Sequence, residues 1–186
     1  MNTVRALLAH ARERLQATSP EPTLDAEVLL AHVLGHGRSW LYAWPEHVPD
    51  ADQAGLYEQL ITLRGPGRPV AHLTGEREFW SLRLRVSEDT LIPRPETELL
   101  VETALELDLP EGARVLDLGT GSGAIALALA SERADWHITG SDRSAAALAI
   151  ARHNATTLGL SQLRWLGGDW FDALDADEKF DLIVSN

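Results

Sequence analysis

The 186-residue chain contains no cysteine. That absence excludes disulfides, thiolate metal sites and a cysteine nucleophile. Lysine is nearly missing as well: fifteen of the sixteen basic residues are arginine and only Lys179 is not, a bias that nothing in the sequence explains. No apolar run reaches the roughly 18 residues that a membrane-spanning helix needs, so no membrane segment is expected. Residues 1–16 mix charged and apolar side chains at helical spacing and lack the continuous apolar centre of a signal peptide. A cytoplasmic protein is the expectation. Positive charge is also scarce. The net charge is −12, and it is uneven: residues 1–92 hold nine basic and twelve acidic side chains, residues 93–186 seven and sixteen. Phosphate affinity comes largely from Lys and Arg, so a general nucleic-acid binder is disfavoured. His32 and His36 stand four apart, but no Glu or third ligand completes a zinc pattern, and no metal is expected.

The residues that are present, 45% of them hydrophobic, support a substantial core. Residues 1–75 read as a helical domain. Val4, Leu7, Leu8, Ala11 and Leu15 share one helical face. Pro20 and Pro22 then break the chain, and Thr23 is placed to cap a second helix with Leu24, Val28 and Leu29 inward, ending near Gly35. An aromatic piece from Trp40 to Trp44 stops at Pro45 and reads as core or partner surface. A further helix, residues 51–64, carries Leu56, Leu60 and Leu63 in register and ends at Gly65-Pro66-Gly67. In residues 76–92 the period changes: Leu82, Leu84 and Val86 alternate with Arg83 and Arg85, as in a half-exposed strand. Phe79-Trp80 is its expected hairpin partner, which makes this stretch a β-hairpin linker. From residue 93 strands and helices alternate: helix 96–107, strand 114–118, helix, strand 136–141, helix 145–158, strand 163–166 and strand 180–185. Such alternation predicts an α/β fold with a doubly wound parallel sheet, in which ligands sit at the carboxyl ends of the strands. Asn186 directly follows the last of these strands, so the sheet reads as incomplete.

The most informative stretch is Asp117-Leu118-Gly119-Thr120-Gly121-Ser122-Gly123. An apolar strand ends in an acid, three glycines follow at alternate positions, and a helix-like run from Ala124 to Ala130 comes next. Glycine allows positive φ and close approach of a ligand to the backbone. Gly119-x-Gly121-x-x-Ala124 formally satisfies the dinucleotide fingerprint. Asp117 and the third glycine, Gly123, shift the reading. A pyrophosphate favours a helix N-terminus free of carboxylates, whereas a cationic methionyl ammonium and sulfonium favour a nearby acid. Asp-x-Gly-x-Gly-x-Gly resembles the first motif of S-adenosylmethionine-dependent methyltransferases. Asp142 closes the next strand and can accept both ribose hydroxyls; it can equally cap the helix that follows, as can Ser144. Gly168-Asp169-Trp170-Phe171 sits past the third strand, where an acid and an aromatic suit an adenine amino group and its ring. Phe171 is expected in the core, with Asp169 or Trp170 against the adenine. Asn186 ends a strand beside the expected cofactor methyl, and its side chain offers one acceptor and two donors.

Three segments together resemble the HemK/PrmC-type protein-glutamine methyltransferases, which act on peptide chain release factors. They are Gly75-Glu76-Arg77-Glu78-Phe79-Trp80 leading into Leu91-Ile92-Pro93-Arg94-Pro95-Glu96-Thr97-Glu98, the glycine motif, and Asp169-Trp170-Phe171 with Asp181-Leu182-Ile183-Val184-Ser185-Asn186. The resemblance covers the whole chain, and the segment 92–98 is more specific than the glycine motif. It implies a small helical domain for substrate recognition (1–75), the hairpin linker (76–92) and a Rossmann-like class I methyltransferase domain (93–186). It further implies that Gly119, Thr120, Gly121, Ser122 and Gly123 line the methionyl part of S-adenosylmethionine, that Asp142 takes the ribose, and that Trp170, with Asp169, meets the adenine. Arg94 and Pro95 resemble the family segment beside the active site. The resemblance also implies that Asn186 corresponds to the first residue of the family's Asn-Pro-Pro-Tyr motif, which grips the substrate glutamine amide, and that it is the catalytic residue, beside the cofactor.

The implied reaction is displacement: the amide nitrogen of a Gly-Gly-Gln glutamine attacks the sulfonium methyl. That nitrogen is a poor nucleophile, so positioning dominates, with acceptors on its N–H groups favouring the charge that builds there. The sequence stops before Pro-Pro-Tyr, and this chain alone is therefore expected to turn over little or not at all. A monomer acting on a release factor, without direct contact to nucleic acid or membrane, is expected. Three alternatives stand beside this reading: a nucleic-acid adenine amino methyltransferase with a similar clamp, a non-catalytic module that docks a translation factor, and an NAD-binding oxidoreductase. The acids Asp172, Asp175, Asp177 and Glu178 read as a solvated loop.

Overall fold

The computed structural model describes residues 2–186. The chain divides into two compact units with the boundary between Thr74 and Gly75.

The first unit is all helical: α1 (Val4–Leu15), α2 (Pro22–Leu34), α3 (Arg38–Ala43), α4 (Ala51–Arg64) and α5 (Val70–Thr74). Helix α1 buries Val4, Ala11 and Leu15, with Leu7 and Leu8 packed at the edge of the same cluster. Two details depart from the sequence reading. Thr23 does not cap α2: Pro22 occupies the first turn, where its missing N–H costs nothing, and Thr23 lies inside the helix. On α4 the inward face is Tyr57, Leu60, Ile61 and Arg64, while Leu56 and Leu63 are exposed. The Tyr57 hydroxyl decides this, because it can enter the core and still donate to the Ala26 carbonyl at 3.1 Å. Arg64 likewise meets a partner, Asp25, at 2.8 Å. Of the aromatic piece, Leu41 is buried, whereas Tyr42 and Trp44 are exposed.

The second unit begins with a hairpin, β1 (Glu76–Phe79) and β2 (Leu82–Arg85), paired antiparallel with Phe79 opposite Leu82. Trp80 and Ser81 both take positive φ, 53° and 58°, the two-residue turn geometry that matches the twist of a hairpin. Phe79 and Leu84 are buried in the same cluster as Val101, Val115 and Leu127, so the hairpin is built into this unit's core. A 3-10 turn at Pro95–Thr97 leads into α6 (Glu98–Leu105), so the α-helix proper starts two residues later than its periodicity suggested. There follow β3 (Arg114–Leu118), α7 (Ala124–Glu132), β4 (His137–Asp142), α8 (Ala145–Thr157), β5 (Arg164–Gly167) and β6 (Leu182–Val184).

Strands β3 to β6 form one parallel sheet in the order β5-β4-β3-β6. The fold class is α/β. Val115, Leu116, Asp117 and Leu118 of β3 are all buried, which is why this strand reads as a continuous rather than alternating apolar run. Residues 124–130 of α7 are buried on every side. From β3 the chain steps outward to β4 and β5, then returns to the opposite edge of β3 as β6. The strand order thus reverses between β3 and β6. A crevice opens at the carboxyl ends of parallel strands at such a point. Phe171 is a correction: it is 53% exposed, and the aromatic that packs against the core near this end of the sheet is the half-buried Trp165 of β5, whose ring lies over Gly140.

Candidate functional site

The loop after β3 is pinned from several sides. Gly119, Gly121 and Gly123 have φ of 79°, 56° and 85°, which L side chains rarely adopt. The N–H groups of Gly119 and Thr120 both donate to the Ser141 carbonyl, at 2.9 and 2.8 Å, and Gly123 N–H donates to the Thr120 carbonyl at 2.8 Å. Gly121 N–H donates to Asp142 Oδ2 at 2.9 Å. Four of the loop's backbone donors are therefore engaged within the protein. The glycines are not equivalent. Around Gly119 and Gly121 a Cβ would meet open space, whereas at Gly123 it would lie 3.1 Å from Leu127 and Trp165 and 3.2 Å from Ala151. The first two leave room for a ligand; the third permits close packing.

Asp117 lies beneath this loop, 1% exposed. Its Oδ2 accepts from the Thr120 hydroxyl at 2.6 Å and from Ala126 N–H at 3.2 Å. Its Oδ1 is buried without a partner. Burial pushes this carboxyl up to about 6, with the neighbouring Asp142 charge adding to the rise and the bonds from Thr120 and Ala126 opposing it. An unpaired buried acceptor beside a second carboxylate suits a cationic group. The same two acids, with the loop's amides already engaged, make a poor seat for pyrophosphate.

Asp142 ends β4. Besides Gly121 it accepts from Ser144 N–H through Oδ1 at 2.9 Å, while Ser144 itself caps α8 by accepting from Ala147 N–H. Asp142 thus bridges the loop and the start of the helix. Each carboxylate oxygen retains a second lone pair for a hydroxyl. Gly140, two residues earlier, is required by packing: a Cβ there would fall 2.4 Å from the Trp165 ring.

These pieces face a cleft of about 470 Å³, within the range of ligand sites. Leu118, Gly119, Ser141, Asp142, Arg143, Gly168, Asp169, Trp170, Ser185 and Asn186 line it. The crevice at the chain reversal thus brings together Gly119, Asp142, Asp169, Trp170 and Asn186. Trp170 is 66% exposed and has φ of 49°. A smaller cleft of about 60 Å³ adjoins it through Gly119 and Asn186, lined also by Ile92, Arg94, Thr97, Thr120, Gly121 and Ser122. Gly123 and Pro95 line neither; Pro95 opens the 3-10 turn. Asn186 Nδ2 donates to Thr97 Oγ1 at 2.8 Å, which orients the Asn186 amide and leaves Oδ1 as its available acceptor.

Comparison with known proteins places these residues in a family. Residues 6–75 match the PrmC N-terminal domain, and residues 109–186 match a methyltransferase domain. The chain is 53% identical to the release factor glutamine methyltransferase of Shewanella oneidensis, over 96% of this chain and 62% of that protein. With the Escherichia coli protein of the same name it shares 51% identity over 96% of this chain and 64% of its relative. With that of Burkholderia pseudomallei it shares 48%, over the whole of this chain and 67% of the relative. The chain belongs to the release factor glutamine methyltransferase family. It spans 62–67% of the length of these three relatives.

Three residues that shape this family site escaped the sequence reading. Gly140 carries no signal of its own in the sequence, yet its missing Cβ admits Trp165. Thr97 was quoted within a motif, but its bond to Asn186 spans 89 positions and no local pattern encodes it. Asn154 carried a legible signal: it is a poor helix former on the stripe that α8 buries, Ala147, Leu148, Ala151 and Ala155.

Proposed function

We propose that this protein methylates the side-chain amide nitrogen of the glutamine in the Gly-Gly-Gln motif of peptide chain release factors, with S-adenosylmethionine as methyl donor. The observation that carries the reading is the cleft at the chain reversal, where Asp142 and the open side of Gly119 meet at the carboxyl ends of β3 and β4, with the unpaired Asp117 Oδ1 buried beneath the loop at its edge. Gly119 to Gly121 and Asp117 hold the methionyl end, Asp142 the ribose, and Asp169 with Trp170 the adenine. The cofactor supplies an electrophilic methyl on a sulfonium. Asn186 Oδ1, oriented through Thr97, accepts an N–H of the substrate amide and so aims its nitrogen and stabilises the charge that develops there. Arg94 borders the smaller adjoining cleft and contributes to holding the substrate segment.

The first unit recognises the substrate protein, in keeping with its match to the PrmC N-terminal domain. The protein acts as a cytoplasmic monomer on a protein rather than a nucleic acid; the net charge of −12 supports the latter point. Incubating the protein with its chain extended past Asn186 through Pro-Pro-Tyr, together with methyl-labelled S-adenosylmethionine and a purified release factor, tests the proposal; the 186 residues alone are expected to give little or no label. Label is expected on the Gly-Gly-Gln glutamine. Cofactor binding without label on that residue would overturn the substrate assignment, and label on adenine in added nucleic acid would favour the amino methyltransferase alternative.

A further inference from the structure

Asn154 sits in the middle of α8, 2% exposed. A buried side-chain amide in a helix interior must find its partners outside the helix. This one finds three. Its Oδ1 accepts from Arg85 N–H at 2.8 Å. Its Nδ2 donates to the Arg85 carbonyl at 3.0 Å and to the Ser122 carbonyl at 2.9 Å. The amide therefore engages both backbone groups of the last residue of β2, as a neighbouring strand would, and with its other proton takes hold of the glycine loop. One turn earlier on the same helix face, Ala151 abuts Gly123. The far end of the loop is thus held by α8, just as its near end is held by the Ser141 carbonyl and Asp142.

We infer that Asn154 is the positioning residue of the cofactor loop: it lines neither cleft, and by fixing the Ser122 carbonyl between α8 and the hairpin it sets the backbone on which Gly119 and Gly121 present their open faces. Among the described residues, this end of the loop is also held by the Gly123 N–H bond to Thr120, by the Leu127 N–H bond to the Gly123 carbonyl and by the packing of Gly123. The Gly123 N–H and the Ser122 carbonyl belong to one planar peptide unit, so Asn154 and the Thr120 carbonyl grip that unit from opposite sides and together fix its orientation. The inference also explains why a hairpin distant in sequence is built into this core: β2 supplies the second anchor for the amide. It rests on the cofactor reading for its ligand, and the experiment below separates the two.

The test uses Asn154→Asp and Asn154→Leu in the full chain, with Val101→Ala in α6 as a control for lost core packing. Two readouts are needed: affinity for S-adenosylhomocysteine by calorimetry, and hydrogen exchange of the Gly121 and Gly123 amides. Asn154→Leu removes all three bonds at similar volume. It is expected to weaken binding about tenfold, the scale of one buried polar group left unpaired, and to speed exchange in the loop, while Val101→Ala moves neither. Asn154→Asp keeps the acceptor for Arg85 N–H but places a carboxylate against two carbonyl oxygens. Its affinity is expected to recover as pH falls and the carboxyl regains a donor, a pH profile that lost packing would not give. Wild-type affinity and exchange in Asn154→Leu would overturn the inference. Should that variant not fold, an Asn154→Asp affinity that keeps a constant ratio to that of the unmodified protein at every pH would do the same. If the unmodified protein bound no S-adenosylhomocysteine, the cofactor reading would fall, and loop exchange alone would still decide the role of Asn154.

Discussion

The two walls of the cleft are built on opposite principles. The loop at residues 119–123 is held by Ser141, Asp142, Asp117 and Asn154 through hydrogen bonds of 2.6–2.9 Å, and Thr120 and Ser122 within it are buried. The segment 168–171 across from it is held mainly by backbone bonds, Gly168 N–H to the Asp142 carbonyl and Asp172 N–H to the Asp169 carbonyl. Its Trp170 and Phe171 side chains are 66% and 53% exposed. The difference teaches where specificity and adaptability reside. A wall whose polar groups are fixed in advance meets a charged or hydroxylated ligand part at little reorganisation cost. A wall of exposed aromatic surface gains area only as it closes on an apolar ring.

The contrast breaks most visibly at Asp142. Asp142→Ala leaves Gly121 N–H and Ser144 N–H without their acceptor and removes the proposed ribose contact. A loss of affinity for S-adenosylhomocysteine of about 100-fold is expected, the sum of two such effects, whereas Asp172→Ala should stay within about twofold. Calorimetry on both variants checks this, and equal losses would remove Asp142 from the site.

Asp117 gives a smaller effect, in pH dependence. Folding raises this carboxyl to about 6 from an ordinary value of 3.8. The folded state therefore holds its proton more tightly than the unfolded chain does. A group shifted in this direction weakens the fold where it is ionised. Its penalty is absent below about pH 4 and fully present above about pH 6, so its contribution to stability falls as pH rises through that window. Asp117→Asn should flatten the pH profile of stability between 4 and 6 relative to the parent, by an amount on the order of 2 kcal/mol. Urea melts at several pH values measure it, and parallel profiles for the two proteins would show that the carboxyl is not shifted.

The smallest effect is expected on the open wall. Trp170→Ala should weaken S-adenosylhomocysteine binding a few-fold, about 1 kcal/mol for a lost ring contact, and leave the melting temperature unchanged because the side chain is already exposed. A drop in stability comparable to that of a core substitution would show that this wall is pinned after all.

Much of this was legible in the chain order. The glycine loop follows β3, Asp142 ends β4 and Trp170 follows β5, each at a strand end that hydrophobic periodicity could locate, because sheet strands impose their alternation or burial on the local sequence. Phe171 was misplaced because local pattern cannot say which of two neighbouring aromatics, Trp165 or Phe171, finds space in the core. That space exists only because Gly140, on another strand, lacks a Cβ. Tyr57 replaced Leu56 on the inward face of α4 for a related reason, an acceptor on α2 that no window along α4 contains.

The sequence by itself determined the α/β alternation, the position of the glycine loop and the acids flanking it, because each depends on neighbours within a few residues. The tertiary structure alone decided which glycines face open space and which faces the core, that Thr97 orients Asn186, and that Asn154 ties the loop to the hairpin. Those outcomes depend on the direction of single hydrogen bonds and on tenths of an ångström between elements far apart in the chain, and only close packing fixes such quantities.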